Sequence, residues 1–135
     1  MNLSARDYAG RARGSVWELD LAQELRRQPE AARLDFLDDL ITSNPIVGLD
    51  LARRCLSESR SFEVLLDRAL RESNASSIRY WLECIVPRLG FRRVVGQLRG
   101  HIVEGREAVR FAKYWLPMFS ELPGYSEAEV ASLDP

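Results

Sequence analysis

The sequence predicts an all-α protein, a stack of antiparallel helix pairs with about 30 residues to a repeat, and three observations carry that prediction. Apolar residues recur at helical spacing along most of the chain, whereas strand-like alternation is nearly absent. Helix start and stop residues punctuate it at short intervals. Equivalent apolar positions return at near-constant steps, as they must where each helix pair can bury its apolar face only against the next pair.

The elements follow in order. In "GSVWELDLAQELRRQP" Ser15 precedes Glu18 by three residues, the reciprocal pattern that satisfies two orphan amides at a helix start, and Gln28 with Pro29 closes the segment. "EAARLDFLDDLITSNP" sets Leu34, Phe36, Leu37, Leu40 and Ile41 on one stripe with Asp35, Asp38 and Asp39 opposite. Asn44 before Pro45 is expected to cap the next helix, since proline suits the first helical position. That helix carries Val47, Leu51, Ala52, Cys55 and Leu56 inward, and the one after it Phe62, Leu65, Leu66, Ala69 and Leu70. Asn74 is expected to repeat the capping role of Asn44, Pro87 to kink or end the following helix, and Gly90 to stop it in a left-handed conformation. "FRRVVGQLRGHIVEG" and "REAVRFAKYWLPMFSE" supply two more helices, and the tail "YSEAEVASLDP" one further turn capped by Ser126 and Glu129.

Laid side by side, alternate helices align. Leu21, Leu51 and Trp81 lie at steps of 30, as do Leu25, Cys55 and Ile85, while Ile78, Trp81 and Ile85 match Val109, Ala112 and Leu116 at 31. The intervening helices align through Phe36, Leu65 and Val94 at steps of 29. This reading divides a single domain, residues 1–135, into an N-terminal cap and half-repeat (1–29), three helix pairs (30–59, 60–89 and 90–121) and a C-terminal tail (122–135). Trp17, Leu21, Leu51, Trp81 and Leu116 are expected in the core, and Trp115 by its apolar register as well.

"SIRYWLECIVPRLG" and "EAVRFAKYWLP" resemble the second helix of a HEAT repeat, in particular the short bacterial kind of phycobilisome lyase-like proteins. Ile78 with Arg79, and Val109 with Arg110, match that family's Val-Arg step, and Leu89 with Gly90 match its Leu-Gly stop. Gly48 stands where the first copy should have an arginine. The resemblance covers roughly residues 30 to 120. It implies a right-handed α-α superhelix whose second helices line a concave docking surface.

Composition and charge narrow the function. Of 135 residues, 46% are apolar and 29% charged, as in folded soluble proteins, and no apolar run approaches the ~20 residues of a spanning helix. No membrane partner is expected. The opening "MNLSARDYAGRARG" lacks the apolar core of a secretory signal, and Asp7 argues against an organelle presequence, so a cytoplasmic location is expected. Two cysteines in such a chain read as buried thiols. A net charge of −1 gives no global pull on nucleic acid.

No catalytic set is recognisable. His101, the one histidine, has no nucleophile or orienting carboxylate assigned to it by any motif, and reads as a helix-interface or helix-end residue. Gly96 and Gly100 read as close helix packing rather than a phosphate loop, the three aspartates of "LDFLDDL" as a solvated face rather than a metal site, and no cofactor motif occurs. The expectation is a non-enzymatic protein-interaction or scaffold module. Its partner-binding stripe would comprise Arg53 and Arg54 on one second helix, Arg79, Tyr80 and Glu83 on the next, and Arg110, Lys113 and Tyr114 on the last. Arginine and tyrosine there would take another protein or an acidic peptide. Alternatives are nucleic-acid binding through the same arginines, and an accessory or chaperone-like subunit of a lyase. Association of copies through uncovered stack ends is a further expectation.

Overall fold

The computed structural model describes residues 4–8, 10–11, 16–72, 74 and 76–134. Among them the chain is all-helical. Its α-helices are α1 (Val16–Arg26), α2 (Glu30–Ser43), α3 (Pro45–Cys55), α4 (Ser59–Glu72), α5 (Ile78–Leu89), α6 (Phe91–Gly100), α7 (Arg106–Trp115) and α8 (Glu127–Ala131), with 3-10 turns at Ala5–Tyr8 and Leu116–Phe119. The chain divides into two compact units, residues 1–61 and 62–135.

In the first unit the predicted stripes bury Leu21, Ala22 and Leu25 of α1, Phe36, Leu37, Leu40 and Ile41 of α2, and Val47, Leu51, Ala52 and Cys55 of α3. Leu34 is only half-buried. α2 and α3 are joined by Asn44 alone, and they approach so closely at Gly48 that a Cβ there would stand 2.8 Å from the Ile41 backbone nitrogen. No side chain fits there without a shift of α2 against α3. α1 and α3 touch through Arg54 with Glu18 (2.9 Å) and through Cys55 Sγ, which donates weakly to the Ala22 carbonyl at 3.9 Å. These contacts ascend along both helices together, as in parallel neighbours.

The sharpest ordering in this unit comes from the first turn of α2. Arg33 donates from its three guanidinium nitrogens to three carbonyls, Gln28 O (2.7 Å), Arg26 O (2.8 Å) and Cys55 O (2.9 Å), so it closes the C-terminal ends of α1 and α3. Glu30, one turn earlier, accepts from the Ser57 and Glu58 amides and from the Ser57 and Ser61 hydroxyls, thereby capping the start of α4. Burial alone would raise the Glu30 pKa; the hydrogen bonds from Glu58, Ser61 and Ser57 together outweigh it and hold the carboxyl below its ordinary value.

In the second unit α4 and α6 run side by side. Arg93 pairs with Glu63 at 3.1 Å, Gln97 Nε2 donates to Glu63 O (2.7 Å) and Asp67 Oδ1 (2.9 Å), and His101 Nε2 lies 2.8 Å from Asp67 Oδ1. Again both partners ascend together, at separations of 30 to 34 residues. α5 and α7 bury Ile78, Trp81, Leu82, Ile85, Val109 and Ala112, with Leu116 buried in the turn that follows.

Several expectations require correction. Asn44 does not cap α3 with its side chain; its Nδ2 instead donates to the carbonyls of Tyr8 (3.2 Å) and Arg11 (2.9 Å), anchoring the N-terminal turn. Asn74 does cap. Its Oδ1 accepts from the Ser76 and Ser77 amides while Ser77 Oγ accepts from the Asn74 amide, a reciprocal box built with serine. The predicted Ser15 cap lies outside the described residues. α5 continues through Pro87 to Leu89, and Gly90 ends it with φ +95° and ψ 146°, outside the left-handed helical region but in one open chiefly to glycine. Gly96 and Gly100 are exposed, with nothing within 4 Å of a notional Cβ, so among the described residues no helix packs there. Trp17 and Trp115 are partly exposed rather than core. In the tail Ser126 caps α8, its Oγ accepting from the Glu129 amide at 3.3 Å.

Candidate functional site

The predicted stripe is best developed on α5 and α7. The Asn74 box holds the turn that leads into α5, and α5 presents Arg79, Tyr80 and Glu83 on its outer side while Ile78, Trp81, Leu82 and Ile85 face inward. On α7 the inward positions Val109 and Ala112 leave Arg110 and Tyr114, four apart, on the outside, with Lys113 half-buried.

Arg79 Nε donates to Glu83 Oε1 at 3.0 Å, and its guanidinium lies 5.3 Å from the centroid of the Trp115 ring. Trp115 in turn meets Tyr114 edge-on, centroids 5.2 Å apart and planes at 88°. Four side chains from two helices are thus linked: Glu83, Arg79, Trp115 and Tyr114. Tyr114 is 74% exposed, and Tyr80 on α5 and Met118 in the turn after α7 are 42% and 44% exposed. Arg110 makes no hydrogen bond or ion pair among the described residues, whereas Lys113 Nζ donates to the Ala131 carbonyl at the end of α8. The surface offers flat aromatic area, one solvent-facing guanidinium and one held over a ring.

Arg53 and Arg54 belong to the first unit. Arg53 is exposed and pairs with Asp50 at 3.1 Å. Arg54, expected to be exposed, is drawn into a part-buried cluster with Glu18 (2.9 Å) and Asp50 (3.2 Å), since Glu18 is only 3% exposed and needs a counter-charge. Sequence reasoning missed Trp115 as a surface residue. Its signal was available: it lies off the buried positions Val109, Ala112 and Leu116 and shares an edge with Phe111, four residues earlier.

His101, Asp67 and Gln97 tie α6 to α4. Among the described residues no three His, Cys, Asp or Glu side chains converge as metal ligands would, and no helix is long and apolar enough to cross a membrane. Compared with known proteins, the chain matches no family model, no curated protein and no solved structure.

Proposed function

We propose that this protein is a non-enzymatic helical-repeat interaction module of HEAT-like type, and that the outer faces of α5 and α7 dock an acidic segment of a partner protein. The observation that carries the docking surface is the Glu83, Arg79, Trp115, Tyr114 chain, with Tyr80, Arg110 and Met118 exposed on the same two helices and the turn that follows them. Tyrosine, tryptophan and arginine supply large contact area at low entropic cost, and they dominate the energetics of many protein interfaces. Arg110, without a counter-charge among the described residues, would take a partner carboxylate.

The repeat reading draws support from register. Glu18 meets Arg54 in the first unit and Arg79 meets Trp115 in the second, each pair 36 residues apart, between helices of the same predicted class. The α4 and α6 contacts, 30 to 34 apart, are of the kind successive repeats would make.

The test is affinity capture of partners with wild type and with Arg79→Glu combined with Arg110→Glu, both verified as folded by circular dichroism. Loss of one specific protein from the double variant is expected. Equal recovery would remove this surface from consideration, and steeply salt-dependent binding of the wild type to nucleic acid would replace the protein partner with a phosphate backbone.

A further inference from the structure

A second site, independent of the α5 and α7 surface, lies in the first unit. A cleft of about 290 Å³ is lined by Tyr8, Arg11, Trp17, Asp20, Leu21 and Glu24. The rings of Tyr8 and Trp17 stack with centroids 5.5 Å apart and planes 25° from parallel. Over them sits a guanidinium: that of Arg11, 4.8 Å from the Tyr8 centroid and 5.5 Å from that of Trp17. The platform is well held. Tyr8 meets Phe36 edge-on at 6.1 Å, and Asn44 anchors the carbonyls of both Tyr8 and Arg11.

The carboxylates make this more than an internal clasp. Asp20 and Glu24 stand four apart on α1, on the same face as Trp17, and like charges at that spacing disfavour a helix unless a cation lies between them. Arg11 does not bond to either. Glu24 has only a long contact to Arg27, 3.4 Å and largely exposed, and Asp20 has no hydrogen bond or ion pair among the described residues. The cleft therefore combines two aromatic faces with a pair of under-used acceptors, the composition that recognises a cationic side chain.

We propose that this cleft binds an arginine side chain from a basic segment of a partner protein, and that Arg11 occupies the aromatic platform until the incoming guanidinium displaces it. The partner's arginine would stack on Trp17 and Tyr8 and donate to Asp20 and Glu24. A guanidinium is favoured over an ammonium because it is planar, is weakly hydrated and carries five donors in a fixed fork. Because the backbone of Arg11, not its side chain, holds the turn to Asn44, the side chain can leave without unfolding the platform.

The experiment uses the full chain labelled with nitrogen-15, with the Trp17 indole resonance assigned by Trp17→Phe. It is titrated with the capped peptide Gly-Arg-Gly-Arg-Gly and with its lysine counterpart. Arg11→Ala should bind the arginine peptide about fivefold to tenfold more tightly than wild type, because the internal competitor is gone. Adding Asp20→Asn and Glu24→Gln to Arg11→Ala should abolish that gain while preserving the fold, since the change relieves a like-charge pair. The proposal is overturned if Arg11→Ala binds no more tightly than wild type, if the neutralised variant binds as well, or if the lysine peptide equals the arginine peptide. Concentration-dependent dimerisation of Arg11→Ala in place of peptide binding would likewise replace the partner segment with a second copy of this chain.

Discussion

Glu30 and Arg33 stand one turn apart at the start of α2, 3.7 Å between their charged groups, and between them they close three helix ends. Arg33 is the larger contributor, because two of its three donors meet the last carbonyls of α1 and α3, at Arg26 and Cys55, and the third meets the Gln28 carbonyl in the loop after α1. Its replacement by methionine keeps the aliphatic stem and removes all three bonds, which should cost about 2–4 kcal/mol. Lysine should recover only part of this, since one ammonium cannot serve three diverging carbonyls. Urea unfolding at constant m-value would read both changes as shifts in midpoint.

Glu30 makes part of that stability depend on pH. Its folded pKa is depressed, so its contribution is complete above the unfolded carboxyl value of about 4.3 and is lost as pH falls through the folded value. Glu30→Gln should therefore be less stable than wild type by about 1–2 kcal/mol at neutral pH, the usual worth of a cap with charge-assisted bonds. The gap should narrow in acid. Paired denaturation curves at pH 7 and at about pH 3 would test it, and an unchanged gap would show that the carboxylate charge contributes nothing.

The helices themselves were readable because their apolar spacing is a local property. Phe36, Leu37, Leu40 and Ile41 announce a buried stripe without knowledge of what they meet. The role of Arg33 was not readable, since its three acceptors come from residues 26, 28 and 55 and depend on where two helices end. Asn44 and Asn74 show the same limit. Both precede helices, yet one closes the turn before its helix and the other reaches back 33 residues to Arg11, a difference decided by the backbone available nearby. On the candidate surface Arg79 with Glu83 was legible as a one-turn pair, whereas Trp115 was assigned inward because its neighbours are apolar and the edge of a buried stripe is indistinct in one dimension.

Glycines at two helical positions should respond in opposite directions to alanine. At Gly48 the new Cβ would lie under 3 Å from Ile41 nitrogen and Cα, so α2 and α3 must separate, at a cost of about 1–3 kcal/mol that exceeds the gain in helix propensity. At Gly96 nothing stands within 4 Å, and alanine should stabilise by about 0.5–1 kcal/mol. Thermal melts of the two variants should move apart from wild type; a gain for Gly48→Ala would contradict the close approach.

Thiol chemistry offers a probe of opening. Cys55 is 2% exposed, and burial pushes its pKa up against the opposing pull of Arg26, Arg54 and Arg33. Cys84 is 3% exposed. Both sulfurs are shielded from reagent in the folded state, so a disulfide reagent should label neither residue quickly in buffer and both at once in denaturant. Rapid labelling of Cys55 at pH 7 would mean that the α1 and α3 contact opens locally.

The two arginine pairs of the second-helix class separate stability from recognition. Glu18 is 3% exposed and Arg54 comes to within 2.9 Å of it, so Arg54→Met removes the guanidinium from a carboxylate that water barely reaches. That should cost about 2–4 kcal/mol. Arg79 and Glu83 are 47% and 39% exposed at their side chains, where an ion pair and a ring contact together contribute less than about 1 kcal/mol. Arg79→Gln should then melt within a few degrees of wild type while Arg54→Met falls well below it. If the order were reversed, Arg79 would be a structural brace, and loss of a partner on its replacement could not be assigned to the surface.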